Sequence, residues 1–156
     1  MKTRKAILTL ALLSLLLSFT ATAQDKYVPK PNEEIYGTWM NQVRLPQKEV
    51  ITAEGWSEYT RMTDSEPFLQ GNWEIVNKWT DSEGNIWYKS LITITGGSVG
   101  QKGLIRTELS KLSKSAAVWE HVWNWPTKEQ GLQQPAYPDT IDQNNSQYGI
   151  FYRAKE

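Results

Sequence analysis

The 156-residue chain contains no cysteine and a single histidine, His121. The missing thiols exclude a disulfide framework, thiolate-bound zinc or iron–sulfur sites, a thiol nucleophile and a lipid anchor on cysteine. One imidazole also excludes a multi-histidine metal site within one chain. An excess of either charge is lacking, since 17 Lys and Arg face 17 Asp and Glu. No basic footprint for nucleic acid follows from that balance. Long apolar repeats at helical spacing are missing beyond residue 23, as are internal repeats and low-complexity tracts. One β-rich domain with no cofactor and no metal site is the expectation.

The one long hydrophobic run is at the start. Lys2, Arg4 and Lys5 precede an apolar stretch from Ala6 to Phe19, and Ala21-Thr22-Ala23 follows with small residues. This is the pattern of a signal peptide over residues 1–23, cleaved before Gln24. The apolar stretch is short for a membrane span, which needs about 20 residues. The expected product is exported, to the periplasm or the extracellular space, with no span left after cleavage. Removal of three basic residues leaves it net acidic. All 8 Trp and all 7 Tyr lie beyond residue 23.

Residues 24–34 carry prolines and charges and read as an N-terminal arm, followed by a domain over 35–156. Within it, alternation with period two recurs. Strands are expected over 35–43, 49–53, 56–62, 71–80, 86–95, 104–110, 117–125 and 148–154. Turn signals separate them at Glu54-Gly55, Asp81-Ser82-Glu83-Gly84-Asn85 and Ser113-Lys114-Ser115. Eight strands at hairpin spacing with no crossover helix predict an antiparallel up-and-down β-barrel, which leaves no open edge.

Ile35-Tyr36-Gly37-Thr38-Trp39 opens the first strand with Gly-x-Trp, and Tyr152-Arg153 ends the last. The pair resembles the lipocalin signature and the wider calycin group, closest to small bacterial lipocalin-like secreted domains. The resemblance implies that Gly37 lets the chain bend into the barrel and that Trp39 plugs its closed end beneath Arg153. It further implies a ligand in the open end. The run Gly37 to Gln42 is also similar to the first strand of avidins, which would set Asn41 on biotin. The last strand and the proline-containing segment before it depart from avidins.

Trp119, His121 and Trp123 alternate on one strand face, and Trp73, Asn77 and Trp79 on another, with Tyr88 on the next strand. These seven are the expected inward, ligand-binding residues, because pockets are mostly aromatic with a few polar groups. The same indoles would equally fill a small barrel. The favoured function is non-catalytic retention of a small apolar or amphipathic molecule, with the segment 126–147 over the mouth. No catalytic residue is assigned, since His121 has no recognisable nucleophile or orienting partner. The alternatives are a filled barrel that binds a protein partner or itself through Trp56, Trp87 and Trp125, and a His121-dependent enzyme. Lys102, Arg106, Lys111 and Lys114 read as solvated surface, and the Asp81–Asn85 loop as a hairpin turn rather than a calcium site.

Overall fold

The computed structural model describes residues 27–41, 47–99 and 101–155. The expected signal peptide lies outside them. Among the described residues the fold is all-β. Its strands are β1 (Gly37–Asn41), β2 (Gln47–Ile51), β3 (Trp56–Tyr59), β4 (Leu69–Thr80), β5 (Ile86–Gly96), β6 (Ile105–Leu112), β7 (Val118–Asn124) and β8 (Tyr148–Arg153). Each pairs antiparallel with the next, and β8 returns to β1 through Trp39 opposite Arg153, closing an eight-stranded barrel. The architecture is compatible with a lipocalin-like fold.

The closed end is built around one indole. Trp39 is fully buried and donates from Nε1 to the Ile35 carbonyl at 2.8 Å. The Arg153 guanidinium lies 4.3 Å over its ring. That cation also donates to the carbonyls of Ala116 at 2.7 Å, Tyr36 at 2.9 Å, and Glu34. It thereby ties the arm, the β6–β7 turn and the last strand to one point. Gly37 sits at φ 148°, and a Cβ there would come 2.6 Å from Arg153 Nη1. The glycine is required by both backbone and space. Glu33 of the arm is buried and accepts from Lys30 N at 2.8 Å, from Lys78 Nζ at 2.6 Å, and from the Tyr27 hydroxyl. The arm is thus fastened to the barrel by charge-assisted bonds.

Inside, Trp119 packs against Trp39 at 5.6 Å and Phe151 at 5.4 Å between ring centroids. Ile35, Ile51, Ile75, Tyr88, Ile92 and Leu112 complete the buried core around them.

Two features depart from what the sequence led us to expect. On β4 the register slips between Ile75, opposite Ser90, and Asn77, opposite Lys89, leaving Val76 as a bulge. The slip reverses the faces. Trp73 and Ile75 point inward, whereas Asn77 and Trp79 point outward and Lys78 turns in towards Tyr88.

The second departure concerns residues 126–147, which were expected over the mouth. Leu132 does reach the β5–β6 turn at that end, within 3.7 Å of where a Cβ would stand at Gly103, but the part around Ala136 and Tyr137 lies on the outer wall. The Ala136 carbonyl accepts from Thr107 Oγ1 at 2.7 Å and from Asn124 Nδ2 at 3.0 Å. Lys89 stands over the Tyr137 ring at 5.7 Å, and Gln143 donates from Nε2 to Glu120 at 3.4 Å. This cover explains why Leu109 and Val122 are buried while standing outside the main core cluster.

Candidate functional site

The middle of the barrel is charged. On β6 the alternation Arg106, Glu108, Ser110, Leu112 faces inward, because Ile105, Thr107 and Leu109 occupy the opposite face. Register then sets their neighbours. Glu108 lies between Ser90 and Trp123, and Ser110 between Tyr88 and His121. From the other wall β2 contributes Glu49 and β3 contributes Glu58, directly opposite each other. Arg106, Glu108, Glu49 and His121 are all essentially inaccessible to solvent.

Arg106 is the hub of this cluster. Its Nη2 bonds Glu108 Oε2 at 2.8 Å and lies 3.8 Å from Glu49 Oε2, and its Nη1 is 3.7 Å from Glu58 Oε2. Three indoles surround the cation, with ring centroids at 4.4 Å for Trp56, 5.2 Å for Trp123 and 5.9 Å for Trp125. Trp56 Nε1 also donates to Glu49 at 2.6 Å. His121 stands between two carboxylates, Nδ1 3.1 Å from Glu108 Oε2 and Nε2 3.9 Å from Glu49 Oε1. Neither contact has hydrogen-bond alignment. Trp119, Trp123 and Phe151 flank its ring at 4.1, 4.9 and 5.1 Å. Room for that ring comes from β8, since a Cβ at Gly149 would fall 2.4 Å from His121 Nε2.

The two carboxylates of this pair are driven apart. Burial pushes the Glu49 carboxyl up to about 7, against the opposing pull of His121 and Arg106. Burial acts on Glu108 in the same sense. There, however, the charges of His121 and Arg106 outweigh it and hold the carboxyl below the ordinary value. Of the two, Glu49 therefore holds a proton more readily than Glu108 does.

Several buried polar atoms in this interior have no hydrogen-bond partner. They are Ser90 Oγ, Ser110 Oγ, Arg106 Nε, Glu108 Oε1, the indole nitrogens of Trp73 and Trp119, and both ring nitrogens of His121. Polar and charged groups are thus gathered in the buried interior among the indoles. Neither serine hydroxyl is hydrogen-bonded to His121, and among the described residues no three carboxylate or imidazole groups converge as a metal-holding set.

Compared with known proteins, the chain matches no family model, no curated protein and no solved structure. The site therefore stands on its own geometry.

Of the seven residues proposed from sequence to face inward, five do so: Trp73, Tyr88, Trp119, His121 and Trp123. Asn77 and Trp79 are corrected by the Val76 bulge to the outer wall, where they line a groove of about 580 Å³. Trp56, which the filled-barrel alternative would set at an exposed interface, is buried against Arg106. Arg106, read as solvated surface, is the buried hub. Sequence reasoning missed Glu49, Glu58, Glu108, Ser90 and Ser110 as well. The available signal was Arg106-x-Glu108-x-Ser110, three polar groups on one strand face, in phase with the buried Leu112. Asn41, the residue of the avidin comparison, is buried near the end of β1.

Proposed function

We propose that this chain is an exported, non-catalytic binding protein of lipocalin-like type that holds a small amphipathic molecule inside its barrel. The observation that carries this reading is the set of buried polar atoms without partners along β5, β6 and β7. A buried polar group left unsatisfied costs about 1–3 kcal/mol. A guest that bonds several of them recovers that free energy on entering. Its polar part would meet Ser90, Ser110, His121 and Glu108, while its apolar part would lie against Trp73, Trp119 and Trp123. The mixture of cation and carboxylates favours a guest with both donors and acceptors over a simple hydrocarbon chain. The lipocalin-like assignment rests on Gly37, Trp39 and Arg153 acting together at the closed end.

Intrinsic tryptophan fluorescence provides the test, because His121 and the serines lie among indoles. A panel of aromatic amines, hydroxylated aromatics and medium-chain fatty acids is titrated into the wild type and a Ser90→Ala/Ser110→Ala variant. The expected result is saturable binding of at least one compound, weakened about tenfold or more in the variant, consistent with hydrogen bonds of roughly 0.5–1.5 kcal/mol each. Equal affinity in both proteins would remove the interior from consideration.

A further inference from the structure

The outer wall carries a second candidate site that the barrel interior does not explain. The Val76 bulge turns Trp79 outward, and this large indole remains 38% exposed. It does not lie loose on the surface. Trp87, its partner across the β4–β5 hairpin, stacks against it with centroids 5.9 Å apart and planes 11° from parallel. Trp87 is fixed in turn, donating from Nε1 to Asp81 Oδ2 at 2.9 Å, with Lys111 Nζ 5.8 Å from its ring centroid. Asp81 is anchored by the backbone N–H groups of Glu83 and Asn85, both at 2.9 Å. The result is an exposed aromatic plane whose orientation is set before any ligand arrives.

Beside this plane runs the groove of about 580 Å³, within the range of small-molecule sites. Leu109 supplies its apolar lining. Asn77, Lys89 and Asp139 supply an amide, an ammonium and a carboxylate, Asp139 arriving on the segment that wraps the wall. Donors and acceptors are therefore mixed around the aromatic plane. With Asp81 included, two carboxylates face one ammonium, which disfavours phosphate or another anion. A ligand suited to this arrangement has one flat, weakly polar C–H face and a rim of hydroxyls that both donate and accept.

We propose that the groove of Trp79, Trp87, Asn77, Lys89 and Asp139 binds a neutral saccharide, a pyranose ring stacking on Trp79 with its hydroxyls bonded by the polar side chains. This is independent of the barrel guest.

The test uses isothermal titration calorimetry on the full exported chain. Cellotriose, maltotriose and triacetylchitotriose are the saccharide probes, and adenosine is a flat aromatic comparator. The expected result is measurable binding of at least one trisaccharide. The same affinity should appear in Tyr152→Ala, which removes an exposed aromatic elsewhere on the barrel. Trp79→Ala should weaken binding at least tenfold, and Asp139→Ala severalfold, with circular dichroism verifying that both variants fold. The proposal is overturned if no trisaccharide binds, if only adenosine binds, or if Trp79→Ala binds sugar as well as the wild type does.

Discussion

Replacing Arg106 with methionine tests the charged interior most severely. The substitution keeps most of the side-chain volume, so the loss is one of charge and hydrogen bonds rather than of packing. It leaves Glu108 buried and ionised without the donor now at 2.8 Å, and removes the cation within 4 Å of Glu49 and Glu58. Breaking a buried pair by deleting one partner costs about 3–5 kcal/mol. Loss of the cation from the face of Trp56 adds roughly 0.5–2 kcal/mol, in part returned by methionine sulfur against the same ring. Against a total stability of about 5–15 kcal/mol, that is a large fraction. Urea denaturation at pH 7.5 should register the deficit, and the melting temperature should fall by roughly 10 °C or more. At about pH 4 the deficit should shrink, because the abandoned Glu108 can take up a proton. Adding Glu108→Gln to Arg106→Met should restore much of the loss at pH 7.5. A deficit under about 1 kcal/mol at pH 7.5, or one that ignores pH, would show that the guanidinium is not compensating buried charge.

Other perturbations bear on separate parts of the account. Gly37→Ala forces a side chain into φ 148° and against Arg153, and should lower stability by roughly 1–3 kcal/mol in urea titrations. Gly149→Ala should displace the His121 ring, seen as altered imidazole shifts in NMR spectra and weaker binding of any barrel ligand. For Glu49, a folded-state pKa of about 7 lies above the ordinary value of 4.5, so the native state holds the proton more tightly. That contribution is complete below about pH 4 and is lost as pH rises to about 7. Glu108, displaced downward, acts in the opposite sense, its contribution lost as pH falls. Glu49→Gln should therefore flatten the decline in stability between about pH 4.5 and 7 and raise stability at pH 8 by up to ~3 kcal/mol, followed by urea midpoints across pH.

The barrel was legible because strand alternation and turn residues report local geometry directly. Gly37, Trp39 and Arg153, singled out at the two ends of the sequence, do meet at one end of the barrel. The interior was legible where aromatic residues alternate, as on β7, where Trp119, His121 and Trp123 face inward in phase. It failed on β4, since the Val76 bulge changes the phase with no Gly or Pro to announce it. It failed again on β6 for a different reason. There the apolar Leu109 faces outward beneath residues 126–147, so hydrophobicity pointed to the wrong face and Arg106 and Glu108 passed for surface. The convergence of Glu49, Glu58 and Arg106 depends on pairing across the barrel, which no local pattern in a single strand encodes.

The central claim is that a guest occupies the polar interior, and native mass spectrometry of protein purified from its own host tests it most directly. The account predicts that the wild type carries an additional bound mass. A folded His121→Leu variant prepared in the same way should carry little or none. A wild type without bound mass, or equal occupancy in both proteins, would contradict the claim.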